Sequence, residues 1–334
     1  MKHFNFILIG FCCIFCTVCS CVTEIGDAAK QILGNASEGP VFLSCRAVSE
    51  TEVALRFSTP VNVTSVYFSP PVQVDLIEDG DTVRIHFSEG PPPGERLIVD
   101  ILAEDENGNT INVLVPFRTK NNRVPPMLIT ELRTEYSRPR SEYIELRTLA
   151  AGNLGAVRVF AVSNNQSMIY EFPSIEAAAG EYITLHLRTL EDNCRDELGD
   201  NLEASGGTGS WPTARDLWVP GATKLLRKTE AVYLLDQDDN VIDAIMLSEK
   251  IDPWWGSERL AETAAFLYES GAWETSDGKL CGPAEAVFST GTTATRTICR
   301  DETVEDSNTA ADWYITVTSG ATPGRENNPR RYTP

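Results

Sequence analysis

Histidine is nearly missing from this sequence: there are three in 334 residues, and only His86 and His186 lie beyond residue 20. Two histidines in separate apolar runs make neither a His-rich metal centre nor an obvious triad with a serine. There is no Gly-x-Ser-x-Gly elbow, no His-Glu-x-x-His and no phosphate-binding glycine loop. Positive charge is also short, with 28 Lys and Arg against 48 Asp and Glu and a formal net charge of −20. Binding to a phosphate backbone depends on Lys/Arg clusters, so this balance argues against nucleic acid as a partner. Beyond residue 20 no apolar run approaches the ~20 residues that a bilayer-spanning helix needs. Cysteine is scarce where it counts, because five of the nine fall within the first 21 residues. Cys45, Cys194, Cys281 and Cys299 remain, and in an exported chain four thiols allow two disulfides in three connectivities. Cys281 and Cys299 are nearest in sequence and flank a Gly/Thr-rich stretch, so they form the expected pair. Their spacings fit no zinc motif.

What is present begins with an address. Lys2 and His3 precede an apolar run from Phe4 to Val18 that ends in small residues, which is the pattern of a secretory signal peptide over residues 1–20. Val18-Cys19-Ser20-Cys21 resembles the lipobox of bacterial lipoproteins, with Cys21 at the acylated position. Cys19 departs from that family, which carries a small aliphatic or hydroxyl residue there. The resemblance implies a membrane-anchored lipoprotein of the cell envelope, periplasmic or surface-exposed. A plain signal peptide with a chance cysteine is the alternative. Residues 21–39 are small and polar and read as a tether.

From residue 40 to 119, seven short runs rich in Val, Ile, Leu and Phe are separated by turn formers such as "EDGD", "EGPPPGE" and "DENGN". In Thr82–Ser88 the alternation is plain, with Val83, Ile85 and Phe87 set against Arg84, His86 and Ser88. This is the pattern of a β-sandwich. "TEVALRFSTPV" followed by "EDENGNTI" resembles the bacterial Ig-like domains of surface and S-layer proteins. Residues 120–127, "KNNRVPPM", have no apolar period and read as a linker. From 128 to 328 further strands are expected, at Leu128–Arg133, Glu142–Thr148, Val157–Val162, Met168–Phe172, Tyr182–Leu187, Ala231–Leu235, Val241–Met246 and Trp313–Val317. Glu258–Leu267 is the helix candidate, and Glu191–Lys228 reads as a broad polar loop.

"LITEL…SEYIELRT", "YEFPSIEAAAGEYITLHL", "AVYLLDQDDNVIDAI" and "SNTAADWYITVTSGATPGRENN" follow one another in an order that resembles the lamin tail domain. Gly155-Ala156-Val157 stands where that family has Gly-Trp, and insertions occupy about 190–228 and 250–292. The expected fold is therefore all-β, with two Ig-like β-sandwich domains in tandem, the second enlarged by long insertions. What the resemblance implies is a non-catalytic interaction or scaffolding role at the envelope, with a protein or glycan partner and no cofactor. Two other classes stay open. One is a metal-assisted hydrolase using aspartates within Glu191–Asp216; the other is a small-ligand receptor with a pocket between the domains.

The candidate chemistry has a plainer reading at most positions. Strand alternation puts Glu131 with Arg133 and Glu145 with Arg147, a cross-strand charge ladder on a solvent face rather than a catalytic couple. Asp105–Asn109 and Asp236–Asn240 lack the glycine and glutamate of a calcium loop and read as tight turns, with a weak calcium site as the alternative. No catalytic or metal-binding residue is assigned. Trp254 and Trp255, in "DPWWGS", are either an aromatic lid or an exposed recognition surface.

Overall fold

The computed structural model describes residues 39–163, 166–275, 278 and 281–334. The expected signal peptide, Cys21 and the expected tether up to residue 38 lie outside the described residues. The fold is all-β, with one α-helix among the described residues.

The first sandwich is built on one long bent strand. Its strands are β1 (Phe42–Ser49), β2 (Glu52–Ser69), β3 (Val74–Glu78), β4 (Gly80–Phe87), β5 (Arg96–Asp105) and β6 (Thr110–Arg118). The runs "TEVALRFST" and "TSVYFSP", read separately from sequence, are both parts of β2. Its first half pairs with β1 and β4, and from Val61 onward it pairs with β5. The pairing with β4 jumps from Arg56 to Val61, across Pro60, which has no N–H to donate to a ladder. The sheet folds over at this point. Alternation then sends Val53, Leu55 and Phe57 inward to meet Val83, Ile85, Phe87, Val99 and Ile101.

The second sandwich has two main sheets. Its strands in chain order are β7 (Met127–Arg133), β8 (Tyr143–Thr148), β9 (Gly152–Asn153), β10 (Arg158–Val162), β11 (Gln166–Glu171), β12 (Glu176–Ala177) and β13 (Tyr182–His186). There follow β14 (Arg215–Trp218), β15 (Glu230–Leu235), β16 (Val241–Ser248), α1 (Glu258–Glu269), β17 (Val287–Phe288), β18 (Ile298–Arg300) and β19 (Trp313–Ile315). One sheet runs β11-β10-β15-β16-β17, the other β14-β13-β8-β7-β18-β19, and β12 with β9 forms a small ribbon. Between them lies a core that includes Ile129, Leu132, Ile144, Leu146, Val159, Val232 and Ile245. Each such side chain contributes roughly 1.5–3 kcal/mol by burial.

Both sheets are also covered on their outer faces. All six residues of β15 are buried, because α1 packs beside it through Leu260, Ala264 and Leu267. Ser257 caps α1 by accepting the Leu260 N–H, and Glu258 sits in its first turn, both favourable at a helix N-terminus. The supposed loop 191–228 carries β14, whose polar "RDLW" pairs in parallel with β13.

Residues 120–127 do more than connect the sandwiches. Buried Asn121 donates to the carbonyls of Asn153 and Gly155 at 2.9 and 2.8 Å. Lys120 pairs with Asp238 and Arg123 with Glu176, while Arg96 and Arg118 of the first sandwich share Glu171 of the second. Gly94 and Gly155 meet backbone to backbone: a Cβ on Gly155 would lie 2.0 Å from the Pro93 carbonyl oxygen.

Candidate functional site

The densest group of titratable side chains lies on the outer face of the β14-β13-β8-β7-β18-β19 sheet. A β-bulge places it there. The pairing of β7 with β8 slips between Ile129 and Glu131, so Thr130 and Glu131 both turn outward while Ile129 and Leu132 both reach the core. A bulge re-aims side chains in this way. Glu131 then stands directly opposite Glu145, and both are fully buried.

The expected solvent-facing charge ladder is therefore overturned. The bulge breaks the alternation, and the C-terminal segment covers the face. Glu131 accepts hydrogen bonds from the Thr322 amide at 3.1 Å and from the Thr297 hydroxyl. Glu145 accepts from the Gly324 amide at 2.5 Å and the Thr130 hydroxyl at 2.7 Å. The arginines look elsewhere: Arg133 lies over the Tyr143 ring and Arg147 pairs with Glu302. Burial raises both carboxylates above their usual range, and for Glu145 the charge of Glu131 adds to it. Like charges so placed favour keeping one proton on the pair, with Glu145 held toward the neutral form.

Along the same face, His186 and Asp216 meet at 2.7 Å, both buried. The imidazole stacks on Trp218 at 3.8 Å between centroids, and burial lowers its pKa despite the carboxylate. Asp216 also accepts the Trp211 amide at 3.0 Å, and Glu197 accepts the amides of Asp216 and Ser205. Asp196 accepts the Trp218 amide and Glu191 the Thr208 amide. Glu191, Asp196, Glu197 and Asp216 thus each hold a backbone N–H of the insertion. Four clefts of about 450–520 Å³ open elsewhere, and none is lined by Glu131, Glu145 or His186.

A buried ion pair missed in the sequence ties the two sheets together. Arg300 of β18 meets Asp243 of β16 at 2.6 Å, and both hold the backbone of Ile129. Burial pushes Asp243 up to about 6 against the pull of Arg300. The acid in "NVIDAI" and the arginine in "TICR" stand inside apolar runs. That was the available signal, since a charge within an all-buried strand needs a partner.

The tryptophans divide. Trp273 is a core residue, Trp218 is buried on the covered outer face beside His186, and Trp255 is half-buried, donating to the Cys281 carbonyl at 2.8 Å. Trp254 is 82% exposed, near Ile251 at 76%. Lid and recognition readings therefore apply to different members of the pair. The expected Cys281–Cys299 disulfide is not formed, and Cys45 and Cys194 are also free. Cys281 packs in the apolar core with Trp273, whereas Cys299 is on the outer face beside Glu131. Burial pushes the Cys281 thiol up to about 12 and Cys299 well above its ordinary value. Asp105 and Asp236 each accept the amides two and four residues on and the side-chain amide of Asn109 or Asn240. Both stretches are hairpin turns held by their own aspartate. Among the described residues no group of three or more His, Cys, Asp or Glu is placed to hold a metal.

These features define an all-β protein with two consecutive sandwiches, whose buried polar residues largely hold the chain to itself. Residues 125–315 match the family described as "TP_1001_2nd, protein second domain", and the protein belongs to that family. A curated relative from Treponema pallidum (strain Nichols), itself described as an uncharacterized protein, is 25% identical over 203 residues, 57% of this chain. The match spans about half of that relative's length. Among solved structures, the N-terminal part of the bacterial S-layer protein SbsC is 13% identical, with a TM-score of 0.25 over 43% of this chain and 40% of that one. None of these descriptions names a lamin tail or an Ig-like domain.

Proposed function

We propose that the protein is a non-catalytic envelope lipoprotein, anchored through Cys21, whose second sandwich is a lamin-tail-like interaction or scaffolding module and whose first is a bacterial Ig-like spacer. The observation that carries this reading is where the carboxylates go. Glu131, Glu145, Glu197 and Asp216 accept backbone amides in a buried layer, a structural use that takes these four away from acid–base work on a substrate. The same use weighs against the metal-assisted hydrolase, because Glu191, Asp196, Glu197 and Asp216 already hold backbone amides. The ordered sequence matches to the lamin tail, together with two sheets packed face to face, support the finer family reading.

Contact with a partner falls to the exposed Trp254 and Ile251, since an aromatic anchor of this size suits a protein interface. The test is cross-linking in intact cells with the full chain and with Trp254→Ala. Its side chain is mostly in solvent, so the variant is expected to fold. Loss of a specific envelope neighbour in the variant supports the reading. An unchanged set of neighbours, or metal-dependent turnover abolished by EDTA, overturns it.

A further inference from the structure

At the end of the second sandwich, where the short edge strands β17 and β19 come together, lies a cleft of about 510 Å³ that none of the foregoing uses. Its size falls in the range of small-molecule sites, roughly 300–1,000 Å³. The lining is mostly apolar, with Phe288, Ile315 and the rings of Trp313 and Tyr332 among its walls. Two arginines, Arg296 and Arg331, also line it together with Pro334, the last residue of the sequence, and no Asp or Glu side chain does. That balance is unusual in a chain of net charge −20. The cleft beside α1 shows the contrast: there Lys224, Arg227 and Lys228 are offset by Glu135 and Glu249 in the same lining.

Two donors of the lining residues are also unanswered. Trp313 is 6% exposed, and its Nε1–H has no acceptor. The Arg296 Nε–H is likewise enclosed without one, and no ion pair of Arg296 is found among the described residues. The Arg296 guanidinium lies over Tyr332, 4.0 Å from the ring centroid. Arg331 is held by Asp301 at 2.6 Å and lies over Tyr314. Both atoms are enclosed, which leaves the Arg296 guanidinium, without a carboxylate partner among the described residues, as the unpaired cation of the lining.

We infer that this cleft binds a small organic acid, with its apolar body between Phe288, Ile315 and Trp313 and its carboxylate accepting from the Arg296 guanidinium. A carboxylate is the fitting head group because it only accepts, and because its charge answers Arg296. The site is independent of the scaffolding role and of Trp254.

The experiment uses the full chain and two probes, 3-phenylpropanoate and its uncharged amide, followed by the indole N–H resonances in two-dimensional NMR. Trp313→Phe keeps the ring and identifies the Trp313 signal by its loss. The expected result is a saturable shift of the Trp313 indole N–H with the acid. Binding should be at least about tenfold weaker for the amide, and for the acid with Arg296→Gln. Arg296→Lys, which keeps the charge, should recover part of the loss. The inference is overturned if the Trp313 signal does not move up to the solubility limit. Equal binding of acid and amide, or no effect of Arg296→Gln, also overturns it.

Discussion

The two sandwiches solve the same problem in different ways. In the first, one face of each strand is dry and the other wet: β4 buries Val83, Ile85 and Phe87 while Arg84 is exposed. In the second, the central strands β7, β8, β13 and β15 are buried almost throughout. An inserted helix covers one sheet, and the 191–214 loop with the C-terminal segment covers the other. The second arrangement puts ionisable groups under cover, so its stability depends on hydrogen bonds to buried charges. The first depends mainly on apolar area.

The largest effect expected from that difference is on the Arg300–Asp243 pair. Arg300→Ala leaves Asp243 buried without its cation and is expected to cost about 3–5 kcal/mol, read as a lower urea midpoint. Next comes Glu131→Ala, which strands the Thr322 amide and the Thr297 hydroxyl. A cost of about 2–4 kcal/mol follows from one or two unmet buried groups, measured by the same unfolding curve. A smaller, pH-dependent effect belongs to Glu230, which burial pushes up to about 8. In the folded state it keeps a proton that the unfolded chain releases near ~4.3. Its contribution to stability is thus complete below that value and is lost as pH rises through about 8; Asp243 behaves alike, with the loss near 6. His186, lowered by burial, works the other way and costs stability as pH falls below ~6.5. Thermal scans should therefore show stability falling from pH 6.5 and levelling off above about 8, and Glu230→Gln should flatten that slope. The smallest effect is in the first sandwich. Arg84→Ala removes a half-exposed pair with Glu52 and should cost at most ~1 kcal/mol.

The same contrast decided what could be read in the sequence. Alternation found the first sandwich because a wet face leaves polar residues every second position, although the bend at Pro60 hid the continuity of β2. In the second, most strand positions were legible from β-branched runs. The faces were not, since one bulge residue at Thr130 shifts Glu131 across the period. The partners of Glu131 and Glu145 lie 191 and 179 residues away, beyond any local pattern. Residues of β14 looked like loop because a strand buried among polar neighbours carries no apolar signal. Sequence proximity also misled for Cys281 and Cys299, which face different layers. The orphan donors of the residues lining the cleft at β17 and β19 had no sequence signal, because they depend on what the fold fails to place beside them.

The central claim is that the buried carboxylates of the second sandwich clamp the chain's own C-terminal segment. Amide hydrogen exchange at Thr322 and Gly324, with and without Glu131→Gln and Glu145→Gln, tests it most directly. The account predicts protection near that of the core strands in the wild type. It also predicts faster exchange of Thr322 in the first variant and of Gly324 in the second. Rapid exchange of both amides in the wild type, or protection unchanged by either substitution, would contradict it.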